Sequence, residues 1–232
     1  MISTLVCVLA ASALRRSTGV LLMSALLLPC LSGCALFGVI AQAAPPSTVG
    51  AEYKGLAGKS VTVMAWADDN GVQIDWPNVH LDIAQMIQSK LKVAQKTAKP
   101  KELLNTTFPV SPESVVRLQQ DNPELAGESI EQIAPRLRVS RVIYVEIHNL
   151  QTRSTDADDL FRGEVNGSVR VVAVTNGKGH VVFTRDNIRA VFPKNSPEEG
   201  MPNHTDYEMY RGVLDEFTTQ AAVLFFAHEQ PN

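Results

Sequence analysis

Cysteine is confined to the start of this chain: Cys7, Cys30 and Cys34 are all there are. Everything beyond residue 34 therefore has no disulfide, no thiolate nucleophile and no cysteine metal site, and its stability has to come from an ordinary core. Charge is missing too, from Ser17 through Ala51. The signatures of common catalysts are absent: no Gly-x-Ser-x-Gly, no Walker loop and no dinucleotide fingerprint occurs. The five histidines, His80, His148, His180, His204 and His228, are dispersed, with no His-x-x-x-His spacing. Nor is there a basic excess. Lysine and arginine number 21 against 24 acidic residues, a net charge of −3. Without Arg15 and Arg16 the balance is 19 − 24 = −5. Such a surface is not built for nucleic acid or for anionic headgroups, so neither is an expected partner.

What the first fifty residues do contain is a leader. Arg15-Arg16 precedes an aliphatic stretch, Gly19 to Leu28, and small residues follow. A basic pair, an apolar core of secretory length and small residues define a signal peptide. Leu31-Ser32-Gly33-Cys34 resembles the lipobox of bacterial lipoprotein signals. That resemblance implies cleavage before Cys34 and lipid attachment (diacylglycerol, with a further palmitate-type acyl chain) at its thiol. Two or more acyl chains hold a protein stably where one does not. Two other readings stay open. An apolar stretch of about 20 residues also suffices for an uncleaved membrane helix, and Ala43 or Ala44 offers a site for ordinary secretory cleavage. Ala35, where an Asp would imply inner-membrane retention, favours the outer membrane by resemblance to Gram-negative signals. The expected organisation is a signal peptide over 1–33, a lipidated Cys34 with a linker over 34–54, and one domain over 55–232. As a flexible chain, such a linker of about twenty residues reaches roughly 25 Å on average.

Within the domain, Ser60 to Ala67 is apolar on both faces and predicts a buried central strand. Asp68-Asp69-Asn70-Gly71 ends it as a turn. Val79, Ile83, Met86, Ile87, Leu91 and Ala94 form the stripe of a helix with Pro77 at its start. Ser111-Pro112-Glu113 opens a second helix, and Ile130, Ile133, Ala134 and Leu137 mark a third, broken near Pro135. Strands follow. Arg141 to Leu150 puts Ile143, Val145 and Ile147 on one face, and Phe161 to Val174 alternates, with Arg162, Glu164, Asn166, Ser168 and Arg170 on a wet face. Gly163 and Gly167 in that strand mark close packing against a helix, or a bend. Asn176-Gly177 predicts a type I′ hairpin, and the phase slips near Asp186 as at a bulge. Thr205-Asp206-Tyr207-Glu208 is a capping box ahead of a long helix carrying Tyr210, Val213, Leu214, Phe217, Ala221, Leu224 and Phe225. The expected fold is α/β (α+β), a single mixed sheet of about four to five strands with helices packed on it.

Two stretches carry a family resemblance. Lys59-Ser60-Val61-Thr62-Val63-Met64-Ala65-Trp66 and Ile133-Ala134-Pro135-Arg136-Leu137-Arg138-Val139-Ser140-Arg141-Val142-Ile143-Tyr144-Val145 resemble the opening strand, and the helix end, turn and buried strand, of the α/β domains of LpoB, CsgG and the amino-terminal part of TolB. Glycine is commoner in that family where Arg138 stands. The run Phe192-Pro193-Lys194-Asn195-Ser196-Pro197-Glu198-Glu199-Gly200 is similar to planctomycete-type envelope lipoproteins. The resemblance spans about Gly58 to Phe226 and implies a non-enzymatic domain held in the envelope. The linker is shorter than the LpoB tether, and no spare pair of apolar strands could build the membrane hairpins of CsgG.

Three functions are compatible with these residues. The first is a non-catalytic, membrane-anchored module of the cell envelope that meets another envelope protein, as an accessory to wall synthesis or export, with no cofactor and no metal. The second is a hydrolase with a carboxylate site drawn from Asp68, Asp69 and Glu146 or Asp186, which requires those groups to converge with raised pKa values. The third is a binder of a small ligand or wall fragment on the wet sheet face. Asp68-Asp69-Asn70-Gly71 and Asp156-Ala157-Asp158-Asp159 look like calcium turns but lack the glycine and glutamate at the required positions. Tyr207, Tyr210 and Arg211 are candidates for a recognition surface beside the Pro193 to Pro202 loop, against core packing for the tyrosines.

Overall fold

A computed structural model describes residues 47–68, 70–154 and 159–229. Cys34 and the leader lie outside the described residues, as do Asp69 and the Asp156-Ala157-Asp158 part of the second acidic turn. No described helix is long and apolar enough to cross a membrane. The compact unit runs from Thr48 to Gln230. It begins with β1 (Thr48–Val49), paired antiparallel with β6 (His228–Glu229) at the far end of the sequence. Residues 48–54, expected as the end of the 34–54 linker, thus belong to the folded body: Ala51 is buried, and the Tyr53 ring sits 5.4 Å from Phe183 and 6.2 Å from Phe225.

The main sheet has four strands, β2 (Val61–Ala67), β3 (Arg141–Arg153), β4 (Phe161–Thr175) and β5 (Lys178–Phe192), in the order β2-β3-β4-β5. β2 runs parallel to β3 and the other pairs are antiparallel, so the sheet is mixed, as expected. The expectation of a central first strand is corrected: β2 is buried along its length but lies at the edge. Burial on two faces reports helices above and below a strand, not a neighbour on each side. Helices α1 (Asn70–Asp75) and α2 (Val79–Thr97) follow β2. Asn70-Gly71, expected as a turn, therefore starts a short helix. α2 buries Val79, Ile83, Ile87, Leu91 and Ala94.

α2 and the long α5 (Asp206–Val223) cover one face of the sheet. Ile83, Ile87 and Leu91 there join Val63, Ile143, Val145, Ile147, Val169, Val171, Val213 and Phe217 in one core. A smaller core lies on the opposite face. α3 (Pro112–Asp121), α4 (Ile130–Ile133) and the 3-10 turn Ala134–Leu137 bring Val115, Ile130, Ile133 and Leu137 onto Met64, Val142, Tyr144 and Val172. Local signals account for the helix ends. Ser111 caps α3 by accepting from the Ser114 amide, with Pro112 at the first position. Thr205 and Glu208 close the capping box of α5. Arg138 ends its turn at φ +53°, the left-handed geometry for which glycine is the usual residue.

The Asn176-Gly177 turn has both residues at positive φ, 53° and 73°, as the I′ hairpin requires. The slip near Asp186 is a bulge: Val169 pairs with Arg185 but Gly167 pairs with Ile188. The wet face of β4 is shorter than expected. Arg162, Glu164 and Asn166 are partly open, but Ser168 is buried at 1% exposure and its hydroxyl has no partner among the described residues. Gly163 and Gly167 do mark close approach to α5. A Cβ on Gly163 would lie 2.9 Å from the Met209 carbonyl oxygen, and one on Gly167 would lie 2.5 Å from the Glu146 carbonyl oxygen and 3.0 Å from Phe217.

Backbone cannot give way as a side-chain tip can. Gly167→Ala is expected to cost about 1–3 kcal/mol through overpacking, while Gly127→Ala, where nothing lies within 4 Å, stays within about 0.5 kcal/mol of wild type. Urea midpoints at unchanged slope measure both; equal midpoints for the two variants would contradict the packing described.

Candidate functional site

The outer edge of β2 offers backbone groups that no strand among the described residues takes up. The Thr107 segment covers the first part: the Val61 amide donates to the Thr107 carbonyl at 2.8 Å, and the Thr107 amide to that of Lys59 at 2.9 Å. Further along, side chains do the work. Gln119 Nε2 donates to the Ala65 carbonyl at 3.0 Å, Gln73 Nε2 to the Ala67 carbonyl at 3.1 Å, and His80 Nε2 accepts from the Ala67 amide at 3.1 Å. α3 carries Gln119, α1 carries Gln73 and the first turn of α2 carries His80, so three helices converge on the last residues of one strand. Between them is a cleft of about 330 Å³, lined by Trp66, His80, Gln73, Asn78, Gln119 and Gln120 among others. The His80 ring stacks on Trp66, centroids 5.6 Å apart and planes within 20°. Burial lowers the His80 pKa, and acceptance from the Ala67 amide places its proton on Nδ1.

On the same face, next to Trp66, is a cluster of ionisable groups. Glu146 is the register partner of Trp66 across β2 and β3. Arg170 Nη2 donates to Glu146 Oε2 at 2.6 Å, and His148 Nδ1 lies 2.9 Å from Asp68 Oδ2. Ligand atoms of Asp68, Glu146 and His148 all lie within 4.8 Å of one another, so these three are the described residues that could hold a metal. Burial pushes the Glu146 carboxyl up and Asp68 adds to the rise, while Arg170 and His148 work against it. The Tyr144 hydroxyl, beneath Arg170, is likewise raised by burial, then by Glu146 and Asp68. The Asp68 and His148 side chains are 50% and 45% exposed, so the cluster is open to solvent.

The structure thus brings together two of the four proposed carboxylates. Asp186 is exposed on β5 and is not part of the cluster; Asp69 lies outside the described residues. Of the proposed recognition surface, Tyr210 is core, 3% exposed, stacked on Trp76 at 4.0 Å and donating to Asp82 Oδ2 at 2.6 Å. Tyr207 and Arg211 line a separate apolar groove with Phe192 and Pro193. His80, His148, Trp66 and Gln119 were not singled out by sequence reasoning. One signal existed: Gln119 falls four residues after Val115, on the core stripe of α3, where an amide needs a reason.

No protein-family model and no curated protein matches the chain. Among solved structures it is similar to the PelC dodecamer from Paraburkholderia phytofirmans, at 8% identity over 78% of this chain and 98% of that one, with a TM-score of 0.41. The hypothetical protein CT253 from Chlamydia trachomatis gives 15% identity, coverage of 71% and 96%, and a TM-score of 0.40. The lipoprotein GNA1162 from Neisseria meningitidis gives 11%, 70% and 95%, and 0.34. At that level of likeness none of the three lends this chain a function.

Two measurements bear on these groups. His80 binds a proton more readily unfolded than folded, so its contribution to stability is complete above its ordinary value of 6.5 and is lost as pH falls through the lower folded value. Wild type is expected to lose more urea stability between pH 7.5 and pH 5 than His80→Gln does; parallel losses would contradict this assignment. For the ionic cluster, Arg170 already compensates Glu146, and addition of zinc or calcium is expected to leave the melting temperature unmoved. A ligand at a hundredfold excess over its Kd stabilises by about 2.7 kcal/mol, so a metal-dependent rise abolished by His148→Ala would assign the trio to a metal.

Proposed function

We propose that this chain is a lipid-anchored lipoprotein of the bacterial envelope, on the outer membrane, and that its folded domain acts by binding rather than by catalysis, as an accessory to an envelope protein assembly. The observation that carries the non-catalytic reading is the pairing within the ionic cluster. Arg170 is 2.6 Å from Glu146 and His148 is 2.9 Å from Asp68, so its acids and bases are engaged with one another. Neither Glu146 nor His148 lines the neighbouring cleft in which a substrate would be enclosed, so neither is placed to take a proton there. Beside this internally paired set lies a cleft with no Asp, Glu, Lys or Arg among its described lining residues. The anchor rests on Leu31-Ser32-Gly33-Cys34 and the apolar stretch before it. A short linker then holds the domain close to the membrane face, where partners would be other envelope proteins and not nucleic acid.

The hydrolase reading is second, and the convergence of Asp68 with Glu146 within 4.8 Å is what favours it. Retaining glycosidases hold two carboxyl groups about 5–5.5 Å apart; here Glu146 is paired with Arg170 and Asp68 with His148.

In a bacterial host, wild-type protein should take up a clickable palmitate analogue and fractionate with membranes, and Cys34→Ser should do neither. Label on the Cys34→Ser protein would contradict the anchor. In a strain lacking the protein, Glu146→Gln and His148→Ala should restore the envelope phenotype as fully as wild type at equal abundance. Failure of both variants at equal abundance would move the assignment to the hydrolase.

A further inference from the structure

We infer that the cleft between the end of β2 and helices α1, α2 and α3 is a binding site for a neutral pyranose saccharide. This deepens the binding reading given above and rests on it.

The lining is chemically specific. Four carboxamides, Gln73, Asn78, Gln119 and Gln120, border the cleft together with the stacked rings of Trp66 and His80. None of the described residues lining it is Asp, Glu, Lys or Arg. A carboxamide has a donor face and an acceptor face, and each hydroxyl of a sugar both gives and takes a hydrogen bond. Vicinal hydroxyls therefore match a primary amide on both edges. The C–H face of a pyranose is apolar and suits the flat face of an indole. Pro77 and Pro123 add apolar rim that donates no hydrogen bond. Among the described lining residues a phosphate, a carboxylate or an ammonium would find no counter-charge, which sets the cleft apart from sites for phospholipid heads, nucleotides or acidic peptides.

Two amides are already held in place. Gln119 and Gln73 each spend their Nε2 on the backbone of β2, at 3.0 and 3.1 Å, which orients the rest of each amide. Gln119 is 6% exposed and its Oε1 has no partner among the described residues. An amide oxygen kept dry and unpaired costs about 1–3 kcal/mol, which a hydroxyl donor or a bridging water relieves. Asn78 makes no capping bond at the start of α2, although it occupies the cap position, so its amide is also uncommitted there. His80 is neutral, with Nε2 occupied by the Ala67 amide, and so brings no charge to the cleft. The volume, about 330 Å³, is at the small end of ligand sites, roughly 300–1,000 Å³. It suits the end of a sugar chain and not a long segment.

The test uses the full chain in a zwitterionic detergent that carries no sugar. The protein has two tryptophans. Trp76→Phe keeps a ring on Tyr210 and leaves Trp66 as the sole indole reporter. Cellobiose and di-N-acetylchitobiose are titrated as neutral probes, digalacturonate as the charged control. A saturable change in Trp66 emission with at least one neutral disaccharide is expected, with digalacturonate at least about tenfold weaker. Gln119→Leu should weaken the neutral probe by about tenfold or more. Because that change also removes a bond to β2, Gln120→Ala is run beside it: Gln120 is exposed, its loss leaves melting unchanged, and affinity should fall by about threefold or more. No saturable response to either neutral probe, equal response to digalacturonate, or unchanged affinity in both variants would overturn the inference. If that happens while Cys34 is still lipidated and the strain still restored, the saccharide fails and the anchored binding role stands.

Discussion

A strand at the edge of a sheet carries a row of amides and carbonyls that must find partners, and an open row recruits another strand. In this domain β2 is that strand. Its first outward groups go to the Thr107 backbone, and its last go to Gln119, Gln73 and His80. Satisfying the edge with side chains rather than a fifth strand has a geometric consequence. A strand would lie flush along the edge at about 4.8 Å, whereas long side chains reaching in from α1, α2 and α3 hold those helices apart. The cleft is the space that remains. Trp66 lines it because its position on β2 points to the face that the smaller helical layer only partly covers.

The same partial cover explains the ionic cluster. Beyond Tyr144 the small core stops, and Glu146, His148 and Arg170 stand where the sheet face begins to meet water. Glu146 remains shielded enough for burial to raise its pKa, yet Asp68 and His148 are about half exposed. Such a boundary favours paired charges: desolvation is incomplete, and each anion has a cation or an imidazole within 3 Å. Cleft and cluster are neighbours through the Trp66–Glu146 register, but their chemistry differs. One presents carboxamides and stacked rings with no charged residue among its described lining, the other a set of charges engaged with each other.

Much of the architecture was legible in short stretches. The Ser111-Pro112 start, the Thr205 to Glu208 box, the Asn176-Gly177 turn and the bulge near Asp186 are each decided by a few adjacent residues. The stripes of α2 and α5 are decided by helical period. The candidate site was only half legible. Asp68 and Glu146 were paired as carboxylates, but His148 and His80 read as dispersed, because their spacing in sequence has no motif. They find their partners 80 and 13 residues away. Gln119 shows what a sequence can hint at: an amide on a buried stripe implies an acceptor or donor nearby without saying which.

The sequence by itself determined the class of the domain, the starts of α3 and α5, the hairpin and most of the apolar residues that fill the main core, because periodicity and turn chemistry act over a few residues. It also supplies the leader and the lipobox-like run that motivate an envelope address. The tertiary structure alone decided that β2 is an edge strand, since burial of its two faces comes from helices and is indifferent to what lies beside it. It decided as well that Asn70-Gly71 opens a helix, that Ser168 is covered, and that amides from three helices meet at Ala65 and Ala67. Those outcomes depend on which elements are brought together across long loops, and no local pattern of residues encodes that distance.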